Sequence, residues 1–280
     1  MTAYLRPRDL DEALAERAAH PAWVVLAGGT DLLVNANHRP APAGILDLWR
    51  LPGLGEIRAD SARISIGAGA TWREVERHPA IREQLGPLAR AAREIGALQI
   101  QARGTLGGNV GTSSPVGDSL PVLLALDATL ELASVRGSRH VPYREFCTGY
   151  RTTQLAADEL IVAAHIPVPA PGTRTTWRKV GTRRAQSISK VMGAAAITLD
   201  GDTVVEARVA LGAVADRPLR VTAVEDAVRG LPLAQAAEAA RTAVRATIQP
   251  IDDVRSTAIY RRKVAENIVA RFFTSSGGVS

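Results

Sequence analysis

The sequence predicts an α+β protein of two domains, and three observations carry this prediction. Apolar residues at helical spacing alternate with short apolar strand patterns through most of the chain. Three prolines then fall within Pro167–Pro171, where neither a helix interior nor a central strand can continue. After them, three strand patterns are followed by three helical patterns. We therefore expect domains over 1–170, with subdomains of about 1–55 and 56–170, and over 173–280.

The first fifty residues predict a βαββ unit. Residues 3–5 form a short strand pattern, and Asp9 can cap a helix that runs to about Ala19. Two further strand patterns follow at 23–26 and 45–48.

The second subdomain begins with an alternating strand pattern at 63–69, followed by a capping box at Thr71–Glu74. The next predicted helix has one face lined by Leu85, Leu88, Ala92 and Ile95. An irregular polar stretch over 101–121 and a buried helix over 120–126 follow it. Strands are then predicted at 128–133 and 160–166, joined by a loop that contains Tyr143, Phe146 and Tyr150.

The C-terminal domain reads as a meander followed by a helical cluster. Strands are predicted at 175–180, 191–199 and 203–213, with a hairpin turn at 200–202. Helices are predicted at 219–229, 234–247 and 256–273. In the last helix, Tyr260, Val264, Ile268 and Phe272 recur every four residues and are expected to share one face.

Composition excludes several classes of protein. No apolar run approaches the length of a membrane span, and the N-terminus lacks the apolar core of a signal peptide, so we expect a cytoplasmic protein. The single cysteine, Cys147, excludes an internal disulfide and an iron–sulfur cluster ligated by this chain alone. The five histidines are not at metal-ligand spacing, so no metal site is predicted.

The net charge of +6 comes mostly from arginine. A nucleic-acid partner is not expected, because the arginines alternate with Asp and Glu on helical stretches and aromatic residues make up only 4% of the chain. Solvated helix faces and a few anion-binding positions account for the excess.

A glycine turn at Ala27–Asp31 directly follows an apolar strand pattern. Glycines allow successive backbone N–H groups to point inward as an anion-binding nest, which could hold a diphosphate without Lys or Arg. A plain turn between two elements explains the pattern equally well. The spacing matches neither GxGxxG nor a P-loop.

The polar stretch from Gln101 to Pro121 lies between two strongly apolar segments. It offers a second glycine pair and small polar side chains, which suit ribose or ribityl hydroxyls. Its candidate residues are Thr105, Gly108, Asn109, Thr112, Ser114 and Asp118. An irregular surface loop is the alternative, but connectors of this length are usually functional.

A basic segment, Lys179–Val191, joins two predicted strands and carries four cations. On its own it reads as a solvated loop. The sequence shows no nucleophile–base set, no paired carboxylates and no metal cluster, so no catalytic residue is predicted. Any chemistry must come from a bound cofactor.

Three motifs in this order resemble one known family. They are AGGTDLL at 27–33, TLGGNVGTSSPVGDSLP at 105–121 and RKVGTRRAQSISKV at 178–191. Together they resemble the FAD-binding medium subunit of the molybdenum hydroxylases, the xanthine dehydrogenase and carbon monoxide dehydrogenase family. The resemblance covers nearly the whole chain, including its ending DDVRSTAIYRRKVAENIVARFF.

The resemblance implies a p-cresol methylhydroxylase-type FAD-binding domain of two α+β subdomains. It also implies a C-terminal domain with a three-stranded antiparallel sheet and a helical cluster. By resemblance, the first motif (Ala27, Gly28, Gly29, Thr30, Asp31 and Leu32) wraps the FAD diphosphate. The second motif contacts diphosphate, ribityl or adenosine groups, and Lys179 lies near the isoalloxazine ring. Arg183 and Arg184 fall in a loop that approaches the flavin.

The family's reaction implies one subunit of an electron-transfer complex. A large molybdopterin subunit oxidises the substrate, often an aza-heterocycle such as xanthine. Electrons then pass through [2Fe-2S] clusters of a small subunit to FAD, and on to NAD or a quinone. A dimer of heterotrimers is expected. The alternatives are a carbon monoxide dehydrogenase-type medium subunit, a stand-alone flavin oxidase of this fold, and a degenerate binding module.

Overall fold

The computed structural model describes residues 2–34, 36–38, 40–183 and 186–274. The first subdomain is a small parallel sheet of strands β1 (Ala3–Leu5), β2 (Val24–Leu26) and β3 (Gly44–Asp47), in the order β1-β3-β2. Helix α1 (Leu10–Ala19) connects the first two strands and begins at Asp9, whose side chain accepts from the Glu12 N–H. These elements agree with the predicted βαββ unit.

The second subdomain is built on a five-stranded antiparallel sheet with the order β4-β5-β10-β6-β7. Its strands are β4 (Ile57–Ala59), β5 (Arg63–Gly67), β6 (Thr129–Ser134), β7 (Gly137–Pro142) and β10 (Leu160–Pro167). A small hairpin, β8 (Cys147–Gly149) and β9 (Thr152–Thr153), lies between β7 and β10. The prediction of a loop around Tyr143 to Tyr150 was therefore incomplete. The region contains this hairpin, and strand β7 comes directly before it.

Seven helices of the described chain belong to the same stretch of sequence. They are α2 (Trp72–Arg77), α3 (Pro79–Gln84), α4 (Gly86–Glu94), α5 (Leu98–Gln101), α6 (Leu106–Thr112), α7 (Leu120–Ala125) and α8 (Tyr143–Phe146). The single helix predicted to carry Leu85 and Ile95 is divided at Leu85, where α3 ends and α4 begins. The division occurs because Pro87 fits only the first turn of a new helix. The polar stretch is not irregular throughout, since α6 lies within it.

The C-terminal region forms the predicted antiparallel meander of β11 (Arg174–Val180), β12 (Val191–Asp200) and β13 (Thr203–Gly212). A two-residue strand, β14 (Leu219–Arg220), adds to its edge and was not predicted. Helices α9 (Thr222–Val228), α10 (Leu233–Thr247) and α11 (Ala258–Phe272) follow near their predicted places.

The buried face of α11 agrees with the predicted one at Val264, Ile268 and Phe272 but not at Tyr260. Tyr260 is 44% exposed, whereas Arg261 is buried and donates to the Ala213 carbonyl at 3.0 Å and to Asp253 at 2.6 Å. These partners hold the two terminal nitrogens of Arg261, whereas its Nε has no partner among the described residues. The spacing of apolar residues does not reveal a buried charge of this kind.

Strand β12 is buried on both faces and joins two hydrophobic clusters. Ala194 and Ala196 pack with the core of the first 170 residues, while Ala195 and Ile197 pack with helices α9, α10 and α11. Alternate side chains of a strand point to opposite faces, and the small alanines allow α7 to approach closely. The domain limits at 170 and 173 stay a prediction. No described helix is long and apolar enough to cross a bilayer.

Candidate functional site

The N-terminal glycine turn, Ala27–Leu32, presents a row of backbone donors. Gly29 has φ +76°, and the Leu33 N–H donates to the Gly29 carbonyl at 3.0 Å, which closes the turn. Within the described residues, no N–H from Ala27 to Leu32 donates a hydrogen bond. Successive unpartnered N–H groups in such a turn form a concavity for an anion.

This turn lies directly against the start of the polar stretch. A Cβ atom on Gly28 would lie 1.8 Å from the Arg103 carbonyl oxygen, and one on Gly104 would lie 3.2 Å from Thr30 Oγ1. Real Cβ atoms do not approach other atoms at the first of these distances, so position 28 requires glycine in this packing. The two glycine-rich segments therefore meet, although 75 residues separate Gly28 from Arg103.

Arg103 adds a cation beside the glycine turn that the sequence reasoning missed. Its Nε lies 3.4 Å from the Gly28 carbonyl, and its guanidinium stacks 3.8 Å above the Trp49 ring. The turn itself contains no Lys or Arg, as the sequence showed. Only the position of Arg103 just ahead of the second glycine pair could have drawn attention to it.

The first backbone N–H groups of helix α6 are already paired with other groups of the protein. Thr105 caps it, accepting from the Gly108 N–H at 3.1 Å, and the Leu106 and Gly107 N–H groups donate to the Ala70 and Ala68 carbonyls at 3.0 and 2.8 Å. Gly107 is needed for packing, since a Cβ there would lie 2.6 Å from that of Ala68. The free donors of the site therefore belong to the N-terminal turn, and exposed Gly108 offers close backbone approach.

Asp118 and Lys179 form a buried ion pair across the two halves of the chain. Lys179 Nζ lies 2.6 Å from Asp118 Oδ2, and the two side chains are only 5% and 11% exposed. Ser189 Oγ donates to Asp118 Oδ1 at 2.6 Å, and Lys179 Nζ also donates to the Glu94 carbonyl at 3.3 Å. Burial raises the pKa of the Asp118 carboxyl, and Lys179 and Ser189 oppose that rise.

Asp118 also lines a cleft of about 490 Å³ between the two regions, which we call the interdomain cleft. One side is lined by Gly96, Ala97, Gln99, Ile100, Val116 and Asp118, and the other by Gln186, Ser187 and Ile188. The basic segment predicted to approach a flavin thus provides one wall. Arg184 lies outside the described residues.

The cleft and the N-terminal glycine turn are joined through a short piece of chain. Ile100 lines the cleft and its carbonyl accepts from the Gly104 N–H at 2.6 Å, while Gly104 faces Thr30. An anion nest and a polar-walled cleft on either side of one segment fit an extended molecule with a diphosphate between two ring systems. FAD has this form, and the donor set fits it.

Two family models match the chain in order. "FAD binding domain in molybdopterin dehydrogenase" matches residues 1–169, and "CO dehydrogenase flavoprotein C-terminal domain" matches residues 177–276. The chain belongs to the FAD-binding medium subunits of the molybdenum hydroxylases. It is accordingly an FAD-binding oxidoreductase subunit, and the predicted family and fold are confirmed.

Similar medium subunits extend over almost the whole chain. The nicotinate dehydrogenase FAD-subunit of Eubacterium barkeri is 31% identical, covering 96% of this chain and 94% of that protein. The glyceraldehyde dehydrogenase medium chain of Sulfolobus acidocaldarius is 32% identical, covering 97% and 96%. A solved carbon monoxide dehydrogenase from Hydrogenophaga pseudoflava superposes with a TM-score of 0.92 at 31% identity, covering 96% and 95%.

The remaining candidate residues of this medium subunit lie around α6. Asn109 Oδ1 accepts from Ser119 Oγ at 2.7 Å, and Ser114 Oγ accepts from the Val116 N–H at 3.4 Å. Thr112 is the half-buried last residue of α6. The structure brings the glycine turn against Gly104, just ahead of Thr105, and it places Asp118 in the interdomain cleft beside Lys179. Which of the candidate residues contact FAD stays a prediction.

Proposed function

We propose that this medium subunit takes electrons from [2Fe-2S] clusters of a small partner subunit and passes them, through FAD, to NAD or a quinone. A large molybdopterin subunit would supply the electrons by oxidising a xanthine-like aza-heterocycle. The complex would be a dimer of heterotrimers, and its cytoplasmic location remains an expectation from the sequence.

The row of N–H groups at Ala27–Leu32, which have no partner among the described residues and lie against Arg103–Gly104, is the observation that carries this proposal. A run of inward-pointing backbone donors beside a packed segment can bind a ligand with several acceptor oxygens. A diphosphate has them, and the Arg103 guanidinium adds a positive charge at the same place.

FAD, when bound, supplies chemistry that side chains lack, since it exchanges electrons one or two at a time. The chain's own residues orient and shield it. Each Asp118 oxygen has a lone pair beyond its bond to Lys179 or Ser189, so it can accept from a hydroxyl of the ligand. The Lys179 ammonium group has three N–H donors, of which two bond to Asp118 and to the Glu94 carbonyl. The third can donate to the ligand, although the Lys179 side chain is only 5% exposed.

The substrate is proposed to be chosen elsewhere in the complex. Relatives named for nicotinate, glyceraldehyde and carbon monoxide are 31%, 32% and 31% identical to this chain. Because this chain is equally similar to relatives named for three different substrates, we infer that the medium subunit does not select the substrate.

A carbon monoxide dehydrogenase-type complex is the second candidate. The C-terminal family model and the superposed structure both carry that name. In such a complex the same electron-transfer role would hold for this chain, but carbon monoxide would replace the heterocycle.

Purification of the complex from cells that express the chain at native level tests the proposal. We expect two partner chains to copurify, together with flavin, iron, acid-labile sulfide and molybdenum. Anaerobic addition of xanthine or nicotinate should bleach the flavin band, and NAD⁺ should restore it. Bleaching by carbon monoxide alone would select the second candidate.

Two results would count against the electron-transfer role itself. One is a colourless chain that takes up no FAD. The other is aerobic turnover of a small substrate by the isolated, FAD-loaded chain, which would identify a stand-alone flavin oxidase.

A further inference from the structure

Three side chains with metal-binding atoms come together on the solvent-facing side of the five-stranded sheet. Glu131 on β6 lies opposite His140 on β7, and His165 on β10 is a diagonal neighbour of Glu131 on the same face. Their ligand atoms all lie within 4.8 Å of one another. Spacing along the sequence did not indicate this cluster, because each residue comes from a different strand.

We propose that Glu131, His140 and His165 form a binding site for zinc or a similar divalent transition metal. Two imidazoles and one carboxylate are a ligand set that zinc takes in proteins, with a fourth position left to water. In tetrahedral zinc sites the ligand atoms are about 3.3 Å apart, given bonds of about 2.0 Å. His165 Nε2 and Glu131 Oε2 are 3.0 Å apart, close to this spacing.

His140 is the ligand that must adjust, and it is free to do so. It is exposed, and its ring centroid lies 5.4 Å from that of His165. Rotation of this exposed side chain about its Cα–Cβ and Cβ–Cγ bonds brings its nitrogen toward the other two ligands, whereas the half-buried pair needs little change.

Ser65 orients the central histidine. Its hydroxyl lies 2.8 Å from His165 Nδ1, and the two residues are direct neighbours on β5 and β10. Metal-ligating histidines usually engage their second nitrogen in this way, which fixes the ring and leaves the first nitrogen for the metal. A simple ion pair between His165 and Glu131 would account for the contact of these two residues. It would not account for the position of His140 beside them.

A metal bound here would stabilise the edge of the sheet by linking strand β7 to strands β6 and β10. The strand order is β4-β5-β10-β6-β7, so β7 is an edge strand, and the three ligands span β10, β6 and β7. Binding to the folded state alone raises its stability. The site is independent of FAD and of the electron-transfer role, since its ligands lie outside the glycine turn and the interdomain cleft.

Zinc titration of the tag-free, chelator-treated full chain by isothermal calorimetry tests the site. We expect one zinc ion per chain and a rise in melting temperature with zinc. His140→Ala and Glu131→Gln should each weaken binding by more than about 10-fold and abolish the rise, and Ser65→Ala should weaken it by about 10-fold. Circular dichroism without metal verifies that each variant is folded.

His20→Ala is the matched control, because His20 stacks on Trp23 and pairs with Glu16 far from the cluster in sequence. It should bind zinc as the wild type does. The proposal is overturned if the wild type shows no stoichiometric binding, or if His140→Ala and Glu131→Gln bind zinc with wild-type affinity.

Discussion

Gly28 is the residue at which the absence of a side chain matters most. Its Cα faces the backbone of Arg103 so closely that a methyl group would overlap the carbonyl oxygen at 1.8 Å. Backbone cannot move aside as a flexible side chain can. The shape of the glycine turn therefore depends on this one position.

Gly28→Ala is expected to push the glycine turn away from Arg103 and to lower the flavin bound per chain. The ratio of flavin to protein absorbance measures the loss, and urea unfolding measures the accompanying loss of stability. Gly86→Ala is the control, since nothing lies within 4 Å of a Cβ at that position. Full flavin content in Gly28→Ala would show that this contact does not shape the binding site.

The Asp118–Lys179 pair predicts a strong energetic coupling. Asp118→Asn or Lys179→Met leaves a buried group without its partner, so each should lower the free energy of unfolding by about 3–5 kcal/mol. The double variant should lose less than the sum of the two. Urea unfolding of the four proteins gives the coupling, and strict additivity would contradict a functional ion pair.

Motif resemblance named Asp118 and Lys179 separately, but sequence could not show that they touch. They lie 61 residues apart, and Ser189 lies 71 residues from Asp118. Ser189 and Arg103 were missed for the same reason, because each acts through a partner that is distant in sequence. Residue identity was readable, whereas residue pairing required the fold.

Helix α6 shows the limit of prediction at the level of elements. Glycine is a poor helix former, and the segment Leu106–Thr112 contains three glycines, so the sequence predicted an irregular stretch. The helix forms because Thr105 caps it and Gly107 packs on Ala68. These tertiary contacts override the local preference.

Thr105→Ala tests whether this helix start supports the flavin site. The lost cap should cost about 1 kcal/mol of stability, and FAD affinity should fall. Thr257→Ala is a matched control, because Thr257 caps α11 in the same way by accepting from the Tyr260 N–H. It should lose similar stability in urea unfolding while keeping its FAD affinity by fluorescence titration. Equal flavin loss in both variants would mean that only stability was affected.

Long, strongly patterned elements were predictable, and short ones were not. The meander β11–β13 and helices α10 and α11 agree with their apolar periodicity and with the turn at Gly201, which has φ +56°. Strands β4, β7, β8, β9 and β14 were missed. Four consecutive residues of β7 are exposed, so no alternation marks it, and β9 and β14 have only two residues each.

At the scale of the whole molecule, a second charged cluster holds the two regions together. Asp127, which follows α7, accepts from Arg208 on β13 at 2.9 Å and from Arg220 on β14 at 2.6 Å. Burial alone would raise the pKa of Asp127, but the hydrogen bonds and charges of these arginines outweigh burial and lower it.

This lowered pKa predicts a loss of stability in acid. A carboxyl whose pKa is lower in the folded state stabilises the protein above its unfolded pKa of about 3.9, and this stability is lost as pH falls through the folded value. From about pH 5 downward, the melting temperature of the wild type should therefore fall more steeply than that of Asp127→Asn. Exposed Asp226→Asn is the control and should follow the wild type. Parallel curves for all three proteins would contradict the assignment.

The buried pair of Asp118 and Lys179 also sets an order of events during synthesis. On the ribosome, the glycine turn and α6 emerge well before Lys179 and Ser189, so the Asp118 carboxylate remains hydrated until the strands β11 and β12 arrive. Nascent chains that stop before residue 189 lack one wall of the interdomain cleft. If this cleft holds FAD as proposed, we expect flavin loading to follow completion of the meander rather than folding of the first 170 residues.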